Sequence, residues 1–514
     1  MNPSRTRAVR LLTGSAAGAL ALGALALVPA PATAAAVPDQ ARQVATAAAA
    51  PTARLTDRPR VVTARKAGST TRVKNSNQLR KAVSKANRRN GVDRIVLTSN
   101  ARLKPGGGKG NGPLRGDIDV TDDLRVIGAG NTVNARRIDR IFDVTPGTKL
   151  VLKNITLRGG APAAGESGGA VRGTGATVVA RKVTAVRNQV TGEGASGGAF
   201  FNDRGTLRVI NSTVSFNTAV RAGGAIEANE GDTVVSKSEL SRNSAGDAPG
   251  NGGAIHLSGD GVVDVDQTTA KGNVAAAEGG AFWNSDMGIF SVTGSTLSSN
   301  VAAGPAADNG GGALYNDGGT LAVTTTMLNN NFATGTSGSG GAILNNLGRL
   351  SVENSQMIAN NAQRAGGAVE AVNGTTDVRG SVMRGNTAGA NPGNGGALHL
   401  SGAGEVTVTG GRVVDNTAAN EGGGLWNSAD GDMTVSQVEI VGNSAGGADA
   451  DSGGGGLYND GGTLEVSGSE LADNDATGTS GSGGGILNNT GLLTVTGTTI
   501  DSGSAQRAGG AIEA

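Results

Sequence analysis

The chain has 514 residues, with 88 Gly, 7 Phe, 2 Trp, 2 Tyr, 2 His and no Cys. Missing cysteine excludes a disulfide scaffold, a thiolate metal cage and a Cys nucleophile, and so few histidines argue against zinc centres and Ser-His-Asp triads. The formal charge of +2 conceals a net +11 over residues 35–100 and a net −12 over residues 101–514, a basic head that can meet wall polymers or anionic lipid, or stay solvated.

Residues 1–34 carry the pattern of a secretory signal. Arg5, Arg7 and Arg10 precede an apolar run from Leu11 to Val28, and Ala32-Thr33-Ala34 supplies the small-x-small cleavage pattern. Export to the extracellular side is therefore expected. No later run approaches the roughly 18 apolar residues that span a bilayer, so the mature chain has no expected transmembrane segment. Residues 35–72 are Ala-, Pro- and Arg-rich without periodicity and read as a disordered linker.

Residues 73–165 read as an N-terminal cap followed by irregular first rungs. Leu79, Ala82, Val83 and Ala86 share one helical face, with Ser76 as expected N-cap and Asn90-Gly91 as stop. Short apolar strands follow at residues 94–97, 117–120, 124–127, 141–144 and 150–152. A short amphipathic helix ahead of many short strands suits the open end of a strand stack.

From residue 166 to 514 the chain repeats. A Gly-Gly-(Ala/Gly)-hydrophobic motif begins at Gly168, Gly197, Gly223, Gly252, Gly279, Gly311, Gly340, Gly366, Gly395, Gly422, Gly454, Gly483 and Gly509. Successive steps are 29, 26, 29, 27 and 32 residues, then the same five again, which defines a super-repeat of 143 residues. His256 maps onto His399, Trp283 onto Trp426 and Tyr315 onto Tyr458. In step with the glycines runs an asparagine, usually three residues after a hydrophobic one: Asn188, Asn217, Asn243, Asn273, Asn300, Asn331, Asn360, Asn386, Asn416, Asn443 and Asn474.

Segments such as residues 206–209, 320–323 and 463–466 alternate with strand period. No window keeps a 3.6-residue period over a helix length, and the leucine-rich-repeat frame is absent. The expected fold is all-β: a right-handed parallel β-helix of roughly 15–16 rungs with a short N-terminal capping helix, on the order of 75 Å long at about 4.8 Å per turn. The glycine pair fits a tight corner, and the asparagines fit an internal turn where amides bond along the stack. Variation in step is expected in Gly/Asp/Asn-rich loops along one or two edges of the rod, where repeat proteins often bind. The chain stops partway through a rung with no polar cap, so a longer native protein is expected.

The Gly-Gly-Ala-hydrophobic motif, as in Gly223-Gly224-Ala225-Ile226 and Gly311-Gly312-Ala313-Leu314, resembles the polymorphic outer membrane protein repeats of chlamydiae. Their second mark, F-x-x-N, is matched at Asn, with Val, Leu, Met or Ile in place of Phe. The head, from Leu79 through residues 93–97 to 155–160, resembles the start of secreted right-handed β-helix proteins of the pectin-lyase-like kind. The first resemblance implies a surface-exposed adhesin. Nothing in the chain corresponds to the C-terminal barrel of those proteins, so their export route does not carry over. The second implies possible cleavage of acidic polysaccharide, by clustered Asp with calcium and a basic residue or by paired Asp.

No catalytic residue and no cofactor are assigned. The nearest catalytic candidates are Asp264 and Asp266, near Asp260, which share a strand face. They become Thr407, Thr409 and, for Asp260, Ala403 in the next super-repeat, so the fold does not demand them. Asp449 and Asp451, in a Gly-rich loop, are the candidates for calcium. His256 and His399 have no acidic partner within sequence reach. The expected role is a non-catalytic extracellular scaffold for adhesion, with cell-surface glycans or surface proteins as partners; the competing role is a secreted polysaccharide lyase or glycoside hydrolase. Nucleic acid is not expected, because the basic head lacks interleaved aromatics for stacking.

Overall fold

A computed structural model describes residues 67–89, 91–104 and 116–514. The signal-like segment 1–34, residues 35–66 of the expected linker, and Asn90 lie outside the described residues. Residues 67–72, also expected in the linker, instead belong to a strand, Ala67–Val73, paired in parallel with Val92–Leu97. Helix α1 spans Ser76–Ala86, and its N-cap is Asn75, one residue before the expected Ser76. The Asn75 side chain accepts from the Gln78 backbone N–H, while Gln78 Oε1 accepts from the Lys74 N–H, which satisfies two donors at this end. The buried face of Leu79, Ala82, Val83 and Ala86 packs α1 on Ala67–Val73, Val92–Leu97 and Ile118–Val120.

Each short alternating segment can cover its apolar face only by stacking on its counterpart one turn away. Among the described residues the strands form three sheets of 27, 15 and 11 strands, every pairing parallel, in a β-solenoid of about 14 turns. The 15-stranded sheet has thirteen strands from the Gly-Gly corners onward and two, Ile118–Val120 and Phe142–Val144, from the irregular stretch before Gly168. At about 4.8 Å per turn the coil is on the order of 67 Å long.

The largest sheet takes two segments per turn, either side of a bend, as in Thr206–Ile210 and Thr213–Ser215. The smallest consists of dipeptides such as Thr218–Ala219 and Val274–Ala275; the second residue is Ala in all eleven. A side that accepts nothing larger than a methyl group explains how a sequence this poor in bulk fills its interior. The core is otherwise Val, Leu and Ile, with Phe142, Phe200, Phe282 and Phe290 fully buried.

The two glycines of each corner are required for different reasons. The first is left-handed in every turn, with φ between 59° and 75°. The second lies against the next turn: a Cβ on Gly253 would stand 2.2 Å from the Gly280 carbonyl oxygen, and one on Gly280 would stand 2.0 Å from that of Gly312. Backbone carbonyls cannot step aside as a flexible side chain could.

Candidate functional site

The eleven asparagines named from the sequence stand in one continuous buried column. Each Oδ1 from Asn217 to Asn474 accepts from both the backbone N–H and the side-chain amide of the preceding asparagine, at 2.9–3.1 Å. The other Nδ2 hydrogen donates to the carbonyl of the hydrophobic residue one turn back, as from Asn360 to Leu328 and from Asn386 to Met357. All four hydrogen-bonding sites of an internal side-chain amide are thus used. Residues just before these asparagines are left-handed, including Phe216, Ser299, Asn330 and Ala359, which bends the strand so that the amide turns inward.

Two further polar columns stack from turn to turn. Ser212, Ser238, Thr268, Ser295, Thr326, Ser355 and Ser381 line the bend of the largest sheet, each hydroxyl accepting from the preceding turn's backbone N–H. Asn284, Asn316 and Asn345 form a shorter amide stack that recurs at Asn427, Asn459 and Asn488. These are load-carrying contacts within the fold rather than chemistry at a surface.

The outer column of the 15-stranded sheet gathers the chain's rare side chains. Strand alternation sends Ile226 and Ala228 to the core and Glu227 outward, and register stacks Glu227, His256, Trp283, Tyr315 and Leu344 on successive turns. The series Glu370, His399, Trp426, Tyr458 and Leu487 follows directly. Although outward, the column is buried, because the long loops before the glycine corners fold over it. Tyr315 donates its hydroxyl to the Asp308 carbonyl, and Trp283 Nε1 donates to Glu278 Oε2.

His256 Nδ1 lies 3.0 Å from Glu227 Oε1, and its ring stacks on Trp283 with centroids 4.4 Å apart. Ser258 also donates to Glu227, and the Arg221 guanidinium lies 3.5 Å from it. The second copy repeats the arrangement with Glu370, His399, Ser401, Arg364 and Trp426. The acidic partner that neighbouring sequence lacks is therefore 29 residues upstream, one turn back. Burial pushes the Glu370 carboxyl up, but the facing His399, Arg364 and Ser401 outweigh it and hold the group below its ordinary value. Burial raises Glu278 and Glu421, against the hydrogen bonds from Trp283 and Trp426. With His256 3% exposed and Glu227 fully enclosed, no polymer can reach these groups; the arrangement orients and packs.

Asp117, Asp119 and Asp143 form an acidic cluster with oxygens within 4.8 Å of one another. Alternation places Asp117 and Asp119 on one face, and register sets Asp143 beside Asp119. Buried Arg140 pairs with Asp117 at 3.0 Å and Glu166 at 2.9 Å, and Arg172 bonds Asp143. Burial, then repulsion from Asp139, pushes the Asp117 carboxyl up to about 6 against the pull of Arg140. Carboxylates so arranged suit a hard cation, but two arginines already offset their charge.

Asp264 and Asp266 lie half-buried on the outer face of Val262–Asp266, where Asp264 accepts from Ser291 on the next turn. Asp232, one turn back, is raised by burial and by Asp264 and Asp260, against Arg208. These acids occupy a sheet face rather than a cleft. Asp449 and Asp451 are exposed, and neither belongs to the acidic cluster. Asp451 contributes its backbone carbonyl to the Tyr458 hydroxyl. A groove of about 530 Å³ is lined by Gly319, Gly348, Gly374 and Gly404 together with Arg349, Glu405 and Asp432. The chain matches no family model and no curated protein.

Proposed function

We propose that the chain is a non-catalytic extracellular β-helix scaffold that adheres to surfaces through their glycans or surface proteins. The observation that carries this reading is the 143-residue super-repeat. Its five turns place corresponding positions at intervals of roughly 24 Å along the stack. A polymer or a crowded surface offers its groups repeatedly, and a rod that repeats its own face gains avidity without a strong single site. Supporting it, the histidines, tryptophans and tyrosines are enclosed in the stack, where they hold the loops down instead of meeting substrate. Export follows from the signal-like residues 1–34.

The test is a glycan and cell-surface binding screen with the exported chain, run beside incubation with polygalacturonate and calcium. Glycan or cell-surface binding without unsaturated ends by absorbance is the expected result. Robust release of unsaturated product would overturn the scaffold reading in favour of a polysaccharide lyase.

A further inference from the structure

A strip of unpaired cations runs along the bend of the first turns. Asn134, Arg158, Val186, Ser215, Ser241 and Lys271 occupy one register position on six successive turns. Around that line project Arg136, Arg137, Arg187 and Arg242, so six exposed cations lie along on the order of 24 Å of the rod. None of the six forms an ion pair among the described residues. Elsewhere some exposed arginines are paired, as Arg379 is with Asp377 and Arg412 with Glu439, while Arg125, Arg181 and Arg384 form no ion pair among the described residues.

Arg136, Arg137, Arg158 and Arg187 surround a hollow of about 280 Å³ floored by Asn134 and Gly159. Next to it is Phe216, an exposed apolar ring at 42% accessibility. The guanidinium carbons of Arg187 and Arg242, on the turns either side, stand 5.8 and 5.3 Å from its centroid. Arg187, Phe216 and Arg242 are left-handed at the position where later turns place Gly272, Gly385 and Gly442, and Arg136 and Arg137 on the first of these turns are left-handed too. Bulky side chains there cost backbone energy that glycine does not, and what they supply is concentrated positive charge.

We propose that this strip binds a linear polyanionic polysaccharide carrying sulfate or carboxylate groups. Guanidinium forks match such oxyanions in geometry as well as charge, and a straight row of them suits an extended chain. The Phe216 ring is already engaged by two arginines, which leaves no free aromatic platform for base stacking and disfavours single-stranded nucleic acid. The inference deepens the adhesion reading by naming the ligand class and its place.

Binding is measured by interferometry of the exported chain against dextran sulfate, polygalacturonate, neutral dextran, a single-stranded oligonucleotide and phosphatidylglycerol vesicles. The strip variant is Arg158→Gln with Arg187→Asn and Arg242→Asn; asparagine tolerates the φ of +54° at both corner sites. The matched control is Arg349→Gln with Arg379→Gln and Arg412→Gln. Dextran sulfate or polygalacturonate should bind and neutral dextran should not, with affinity falling about tenfold or more between roughly 50 and 200 mM salt. The strip variant should lose about tenfold in affinity and the control less than about twofold, at unchanged melting temperatures. Equal loss in both variants, no loss in the strip variant, no binding of either polyanion, or tighter binding of oligonucleotide or vesicles would each overturn the proposal. Retained binding to neutral glycans alone would sink the strip and leave adhesion standing, whereas lyase product would sink the non-catalytic reading whatever the strip binds.

Discussion

An asparagine in the internal column is satisfied by both neighbours, so removing one harms three turns. Asn360→Ala would strip the acceptor from the Asn331 backbone N–H and side-chain amide, and the donor from the Leu328 carbonyl. Each buried polar group left unpaired costs about 1–3 kcal/mol, so a loss of about 3 kcal/mol or more is expected in chemical denaturation. Asn361→Ala, at the half-buried next position with no side-chain hydrogen bond, should stay within about 0.5 kcal/mol of the parent. The same accounting extends to the buried carboxylate of Glu370, whose folded value is depressed. A depressed acid stabilises above its unfolded value, about 4.3, and that contribution disappears as pH falls through the folded value. Glu370→Gln should therefore be less stable than the parent at pH 7 by about 3–5 kcal/mol, the usual cost of breaking a buried pair. The difference should shrink below about pH 4. A difference that stayed constant down to pH 2 would show that the folded value of Glu370 is not depressed.

At the scale of a turn, a corner glycine and a glycine that precedes an internal asparagine separate cleanly. A Cβ at Gly253 meets the Gly280 carbonyl oxygen, whereas one at Gly385 has nothing within 4 Å and only a φ of +62° to contend with. Ala359 and Asp415 already occupy the position of Gly385 on neighbouring turns at φ of 53° and 56°. Gly385→Ala should cost about 1 kcal/mol and Gly253→Ala more than about 3 kcal/mol, as expected where two backbones must part; equal denaturation midpoints would mean that the corner yields. The corners, the strand period and the asparagine spacing could be read from the sequence because geometry demands one residue type there on every turn. The Ser212 to Ser381 column could not, since serine and threonine serve equally and elsewhere fit any turn. The Glu227 partner of His256 stands four residues after Gly223, as His256 does after Gly252, so the glycine register marks the pair, but only the stacking of turns makes that shared offset a contact. Asp117, Asp119 and Asp143 lie in irregular first turns where no repeat draws attention to them. The N-cap moved from Ser76 to Asn75 because both are good caps, and Gln78 completes the bonding only around Asn75.

Along the whole coil, stability is a sum over turns and the interfaces between them, and here the interface term dominates. An isolated turn would expose its apolar face and leave its asparagine amide half-bonded, so unfolding one turn in the middle uncovers both flanks. Long repeat arrays can lose cooperativity, but the amide column runs unbroken from Asn188 to Asn474 and spans both super-repeats. The two tryptophans report on this directly. Trp283 and Trp426 sit five turns apart in equivalent surroundings, each stacked between a histidine and a tyrosine and each donating to a glutamate. With Trp283→Phe or Trp426→Phe, fluorescence follows the remaining tryptophan alone. Each substitution removes one indole hydrogen bond of the same kind, so the two variants should lose similar stability, about 1 kcal/mol. Their unfolding curves in guanidinium chloride should superimpose in midpoint and slope. Midpoints that differ, with the far-ultraviolet signal falling in two steps, would locate a weak interface between the super-repeats and show that the coil unfolds in sections.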